Sequence, residues 1–189
     1  MSKEIKVNVM FAKGSFGEFG NKGGLPWGHC REDMLHFNAV TMCSVIVMGR
    51  ATFESLPFKL KGRVNVVLTT RSDEKCFAKD GSEPDTLFDP TELLEHVSLK
   101  AWLFSIGTWY NKDVFVIGGV GLINSVIEDG SADYIYMTRF HNKERYEADT
   151  YMNTLLDKYH TISLPDVHYH NGEPVEFVTL MSNRLTYGD

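Results

Sequence analysis

Residues 5–12, IKVNVMFA, alternate apolar and polar positions with Ile5, Val7 and Val9 on one face, then turn fully apolar. That is the pattern of a strand entering the centre of a sheet. From Glu32 to Met42, Met34, Phe37 and Val40 with Thr41 recur at helical spacing. SVIVMG (44–49) reads as a buried strand, RATFESLP (50–57) as a short helix closed by proline, and RVNVVLTT (63–70) as a further strand. FVIGGVGLINSVI (115–127) reads as strand, glycine pair and helix, and DYIYMTRF (133–140) as a strand. YHTISL (159–164) and VEFVTLMS (175–182) read as a terminal hairpin. The alternation predicts an α/β fold: a largely parallel sheet with helices on both faces and an antiparallel C-terminal edge.

The stretch between 71 and 113 carries weaker signals. RSDEKCFAKDGSEPD is polar and turn-rich, and PTELLEHVSLKAWLFSI predicts an amphipathic helix from about Pro90 and Thr91 to Ile106. Its apolar face, Leu94, Val97 and Ala101 with Leu93 nearby, is expected to pack internally, the alternative being contact with another subunit. No repeat, heptad run or linker interrupts the chain, so residues 1–189 are expected to form a single domain.

A chain of 189 residues with 43% hydrophobic content can bury one substantial core. A net charge of −6 argues against a bulk nucleic-acid or anionic-membrane binder, which needs a basic face. Cys30, Cys43 and Cys76 form no C-x-x-C pair and are odd in number, which favours reduced thiols and a cytoplasmic location. The charged MSKEIKV start leads straight into the first strand, with no sign of a signal peptide, and runs such as VIVM fall far short of the ~20 residues of a membrane span.

Four features carry candidate chemistry. The loop GSFGEFGNKGGLPWG (14–28) holds six of the sixteen glycines yet has neither a P-loop nor a dinucleotide signature, and it ends on the rigid Leu25-Pro26-Trp27. Asp33 shares a helical face with Phe37 and Val40, so burial would raise its pKa; the alternative is an ordinary first-turn acid favoured by the helix dipole. Gly118-Gly119 joins a strand to a helix and lets an anion approach bare backbone, although a tight turn without a ligand reads equally well. Arg50, Arg63 and Arg71 bracket buried strands, either as anion clamps or as solvated strand caps. His168-x-His170 has strand spacing but no companion ligand, and reads as a polar edge-strand face rather than a zinc site; no metal is expected. Cys30 lacks a base in any recognisable pattern and reads as a packed thiol.

LPWG, then Asp33 and Phe37, then VIVMGRATFESLP, LKGRVNVVLTTR, VIGG and DYIYMTRF, in this order over roughly residues 5–151, resemble the dihydrofolate reductase family. The length and the extra central residues are similar to phage-encoded members. The resemblance implies an eight-stranded mixed, mostly parallel sheet and NADPH-dependent reduction of 7,8-dihydrofolate to tetrahydrofolate. It implies a mobile active-site loop at about 13–28 and an adenosine-binding part at about 44–113. Partners implied are dihydrofolate, NADPH and antifolates such as methotrexate or trimethoprim; a monomer is expected, with a homodimer as the alternative.

Residue by residue, the resemblance assigns Asp33 to the pterin amino group and its neighbouring ring nitrogen. Thr138 would support that carboxylate, and Trp27 would hinge the loop beside it. Met10, Phe11, Ala12, Leu25, Phe37 and Ile117 would line the pterin, Leu56 and Leu60 would flank the aminobenzoyl ring, and Arg63 would hold the glutamate tail. For the cofactor it implies Ala12, Phe19, Gly20 and Asn21 from the first strand and loop, and Gly49, Arg50, Ala51 and Thr52 at a phosphate-binding turn. Leu68, Thr69, Thr70 and Arg71 would grip the adenosine end, with Arg50 or Arg71 reading the 2′-phosphate. Ile117, Gly118, Gly119, Val120, Gly121, Leu122 and Thr150 complete that set, the glycine pair being joined by a cis peptide, and Asp149 would brace the loop.

Some positions depart from the family pattern. Lys61 stands for a frequent proline and is expected to loosen the loop presenting Arg63. Ile123 replaces a tyrosine near the nicotinamide, and Tyr151 a phenylalanine in the D-T-F segment. His36 is expected to face solvent, the alternative being the glutamate tail. Two rivals share the fold: a pyrimidine reductase of riboflavin synthesis, and a non-catalytic NADPH-binding or structural protein.

Overall fold

In the computed structural model, which describes residues 4–91 and 97–186, the chain threads one large mixed sheet. Its elements are β1 (Val7–Gly14), β2 (Glu18–Gly20), α1 (Arg31–Thr41), β3 (Val45–Gly49), α2 (Arg50–Ser55), β4 (Val64–Leu68) and β5 (Thr86–Phe88). There follow α3 (Leu99–Tyr110), β6 (Val114–Gly118), α4 (Val120–Glu128), β7 (Tyr134–Phe140), β8 (Thr150–Tyr151), β9 (Tyr159–Thr161), β10 (Asp166–His170) and β11 (Glu173–Ser182). Eight strands run in the order β10-β11-β7-β1-β6-β3-β4-β5, β9 pairs with β11 off that path, and β2 and β8 form a separate ribbon. Pairings from β7 to β5 are parallel and those involving β11 are antiparallel, the mixed sheet with an antiparallel edge that the sequence predicts.

Strand alternation splits the core in two. From β1, Val7, Val9 and Phe11 pack with Trp102, Leu103, Ile123, Val126 and Ile127 of α3 and α4. Met10, pointing the opposite way, joins Ile46, Met48, Phe53 and Phe115 against Phe37 and Val40 of α1. Each such side chain contributes about 1.5–3 kcal/mol of burial. The site described below lies on the α1 face.

Three expectations are corrected. The helix expected over 90–106 is not continuous: Pro90 and Thr91 are helical as expected, residues 92–96 lie outside the described residues, and Val97 and Ser98 are not helical. A separate helix starts at Leu99, where Ser98 Oγ accepts from the amide of Ala101, and runs to Tyr110, ending at the left-handed Asn111. Of the expected apolar face, Val97 and Ala101 are exposed, whereas Trp102, Leu103 and Gly107 are buried; Leu93 and Leu94 lie outside the described residues. The terminal hairpin is β10–β11, closed by Asn171-Gly172 with φ of 51° and 81°, and 159–161 pairs with the far end of β11. Positive φ at both central residues is what a two-residue turn of the right twist requires. Met34, expected in the apolar stripe of α1, is 37% exposed.

Candidate active site

Asp33 lies in the first turn of α1 and is 7% exposed. Its Oδ1 accepts a 2.7 Å hydrogen bond from Thr138 Oγ1 on β7. Burial pushes the Asp33 carboxyl above the usual carboxylate range, and the Thr138 hydroxyl and the nearby His170 pull it partly back. The register places Thr138 beside Ala12 of β1, and Phe37 one turn along α1 belongs to the cluster of Met10, Leu56, Leu60 and Ile117. One acid therefore stands at the edge of an apolar wall. Phe11 lies on the opposite side of β1, in the α3–α4 core, and Leu25 is 45% exposed, outside that wall.

Trp27 is buried, stacked on Phe140 at a centroid distance of 4.2 Å and edged by Tyr146 at 6.3 Å. It shares a cluster with Cys30, Val175, Phe177 and Ala12, and its Nε1 is buried with no hydrogen-bond partner among the described residues. Cys30 is packed there, and burial raises its thiol pKa. His36 does not face solvent as expected: its ring stacks on Phe177 at 4.1 Å, and burial lowers its pKa.

The glycine loop is tied to the 140–153 segment. Asp149 Oδ2 accepts from the amide of Lys22 at 2.7 Å and the Asp149 amide donates to the Gly20 carbonyl at 3.0 Å, while Gly20 pairs with Thr150 across β2–β8. Glu18, fully buried, accepts from the Phe16 amide, Asn142 Nδ2 and the Tyr146 amide. Phe19 packs on the main core. Asn21 and Gly24 bridge in a tight turn.

Arg63 precedes β4, with Nη1 donating to Asn38 Oδ1 and Thr41 Oγ1, each at 3.0 Å, and its guanidinium 5.6 Å from the Phe37 ring centroid. The loop presenting it is braced, contrary to the expectation drawn from Lys61. Buried Asn65 accepts from the Leu60 amide and donates to the Leu60 and Arg63 carbonyls. Sequence reasoning missed Asn65, Glu18 and His170; a polar residue inside the strand VNVVL was the available signal for the first.

On the other side of the sheet centre, a cavity of about 470 Å³ is lined by Gly49, Arg50, Ala51, Thr52, Leu68, Trp102, Gly119, Gly121 and Leu122, among others. The starts of α2 and α4, capped by Gly49 and Gly119 without side-chain bonds, flank it. Gly118-Gly119 is a cis peptide, and a Cβ on Gly118 would sit 2.8 Å from Thr52 Oγ1, so the glycine permits a close approach of backbone to helix. Val120 packs against the core, and Ile123 is wholly buried within it. Thr69 Oγ1 accepts from the Arg71 amide, and Thr70 is exposed. Arg50 and Arg71 differ sharply. Arg50 donates to Glu54 and to the carbonyls of Arg71, Glu74 and Lys75, with its side chain 11% exposed; Arg71 is 57% exposed and meets Glu74 at 3.3 Å.

Residues 6–184 match the family described as dihydrofolate reductase. The chain belongs to the dihydrofolate reductase family. With that membership goes the family's activity, NADPH-dependent reduction of dihydrofolate. The chain is 48% identical over 153 residues to dihydrofolate reductase type 9 of Escherichia coli, covering 80% of this chain and 76% of that one. It is 32% identical to dihydrofolate reductase type A10 of Escherichia coli over 167 residues, 87% and 82% of the two chains. A solved dihydrofolate reductase from Enterococcus faecalis, complexed with NADP(H) and RAB-propyl, superposes with a TM-score of 0.75 at 23% identity, covering 94% of this chain and 96% of that one, and shows the shared fold. Among the described residues no helix is long and apolar enough to cross a membrane.

Proposed function

We propose that Asp33 and its surroundings form the pterin pocket of this reductase, and that the cavity beside Gly118-Gly119 takes NADPH. The observation that carries the reading is the pairing of a 7%-exposed carboxylate with Thr138 at 2.7 Å beside an apolar wall. Such an acid, costly to bury alone, matches a heterocycle presenting an amino group and a ring N–H.

NADPH, when bound, supplies the hydride. The residues around its site hold and orient it: the α4 amides at Gly119 and Val120 face an anion, and Thr52 stands against Gly118. Arg71, exposed and paired with Glu74, reads the 2′-phosphate; Arg50, bonded to four partners, instead fixes the 71–75 turn. Asp33 polarises the pterin from its amino-group edge, and a water delivers the proton to N5. Trp27 and the loop over it exclude bulk water during transfer. Arg63, fixed by Asn38 and Thr41, holds the glutamate tail at the rim beside Phe37.

The protein acts as a single domain and as a monomer in the cytoplasm, where its three free thiols remain reduced, and antifolates such as methotrexate and trimethoprim compete for the pterin pocket. The test is to mix purified protein with NADPH and dihydrofolate and follow cofactor absorbance, with the riboflavin-pathway substrate as control. Oxidation of NADPH with dihydrofolate alone is expected. Turnover only with the control substrate, or with neither, refutes the reading.

A further inference from the structure

His168 and His170 part company in the structure. His168 Nε2 lies 3.0 Å from Asp166 Oδ1 at the surface. His170 is instead directed at the end of the glycine loop, with Nε2 3.0 Å from the Trp27 carbonyl oxygen. Its ring meets Phe140 edge-on at 6.0 Å, and Phe140 is the ring on which Trp27 stacks. The Asn171-Gly172 turn fixes this geometry by setting His170 opposite Glu173 in the hairpin register.

The same Nε2 also lies 3.2 Å from Asn171 Nδ2. One nitrogen cannot satisfy both neighbours, since a carbonyl needs an N–H and an amide nitrogen needs a lone pair. The imidazolium, or the neutral ring carrying its proton on Nε2, holds Trp27. The tautomer protonated on Nδ1 releases Trp27 and accepts from Asn171.

We propose that His170 is a positioning residue whose Nε2–H clamps the Trp27 carbonyl and thereby seats the indole at the hinge of the loop over Asp33. The proposal rests on the assignment of that pocket above. The titratable groups around the clamp are Asp33 on α1, which interacts electrostatically with His170, Cys30 in the same cluster, Tyr146 at the edge of the indole and Glu173 across the hairpin. A gain of charge on His170 strengthens the clamp and at the same time favours the ionised form of Asp33.

Trp27-Gly28 is the only Trp-Gly pair in the chain, so carbonyl-labelled tryptophan with amide-labelled glycine isolates the Trp27 carbonyl in the NMR spectrum of the full-length protein. In the wild type this resonance is expected at the hydrogen-bonded position. In H170Q, whose amide donates at every pH, it should stay at the bonded position and not titrate; in H170A it should move to the unbonded position. Turnover should fall roughly fivefold in H170A, the worth of one ordinary hydrogen bond, and recover in H170Q. A carbonyl resonance at the same position in wild type and H170A overturns the clamp. A clamp seen by NMR with unchanged turnover in H170A overturns the positioning role. The NMR arm needs no catalysis, so it reads the clamp even where dihydrofolate is not reduced. If H170A fails to fold, H170F, which keeps a ring but has no donor, takes its place.

Discussion

Thr138 Oγ1 donates to Asp33 Oδ1 at 2.7 Å across a sequence separation of 105 residues, with both residues less than a tenth exposed. The bond joins the first turn of α1 to the middle of β7 and is the protein's own compensation for burying that acid. Thr138→Val should remove it without changing side-chain shape. The hydroxyl holds the Asp33 pKa down, so the variant should shift the ionisation seen in turnover to higher pH. It should also lose about 1–3 kcal/mol of stability, because the buried carboxylate loses its donor. A pH–rate profile and a urea titration check both; an unmoved profile contradicts the assignment.

Asp33→Asn should separate activity from stability. Burial raises the folded-state pKa above that of the unfolded chain. The folded protein therefore binds the proton more tightly, and its stability falls as pH rises from the unfolded carboxylate pKa through the folded one. At neutral pH the ionised acid is thus a cost that asparagine removes. The variant should melt at least as high as wild type at pH 7, with the difference disappearing in acid. Turnover near neutrality should fall by ~10²–10⁴-fold, recovering partly in acid, while ligands still bind. Wild-type activity at pH 7 would refute the role.

Arg63→Lys tests tail recognition. Lysine keeps the charge but not the fork that reaches Asn38, Thr41 and a carboxylate together. KM for dihydrofolate should rise about tenfold with little change in kcat, a loss of roughly 1.4 kcal/mol of uniform binding. A pterin lacking the glutamate tail should not distinguish the two proteins. Equal sensitivity to both substrates would place Arg63 in a purely structural role.

Arg50 and Arg71 stood level in the sequence, both flanking buried strands, and the structure parts them. Arg71→Ala should raise KM for NADPH by about ten- to a hundredfold, the worth of a charge-assisted contact, and leave the poorer use of NADH unchanged. Arg50→Ala should instead leave the carbonyls of Arg71, Glu74 and Lys75 without their donor and lower the melting temperature. The NADPH-to-NADH ratio of kcat/KM measures the first and calorimetry the second; the reverse pattern would exchange the two roles.

The fold was legible where periodicity was strong. β1, β3, β4 and β6 are buried strands whose hydrophobic runs leave little choice, and α1 begins within one residue of its expected start. The helix expected to run unbroken to 106 is interrupted at Val97 and Ser98 because Val97 offers an apolar position that stays exposed and Ser98 caps a new helix, in which Gly107 packs tightly against Ile5 and Val114. The hairpin was misplaced because Asn171-Gly172 outweighs the β-rich YHTISL as a turn signal. At the site, Asp33 and Thr138 could be read from their motifs. The clamps could not: Glu18 and His170 act on backbone groups far away in sequence and Asn65 on the backbone of the loop just before it, and backbone partners leave no trace in composition or spacing.

Glu18 is the sharpest of these cases. A carboxylate with no exposure survives only if its oxygens are satisfied, and here one accepts from Asn142 Nδ2 and the Tyr146 amide, each at 3.1 Å, while the other accepts from the Phe16 amide at 3.0 Å. All three groups donate, so only an acceptor-only side chain fits. Glu18→Gln preserves volume but must turn its amide N–H toward at least one donor, at a cost of about 1–3 kcal/mol. That cost falls on the tie between the loop and the 140–146 segment rather than on the sheet. Amide exchange at Phe16 and Tyr146 should therefore speed up by roughly ten- to a hundredfold, with β1 and β6 unaffected. Since the same loop closes over the pterin pocket, kcat should fall as well. Exchange at Phe16 unchanged from wild type would show that the loop is held by Asp149 and β8 alone.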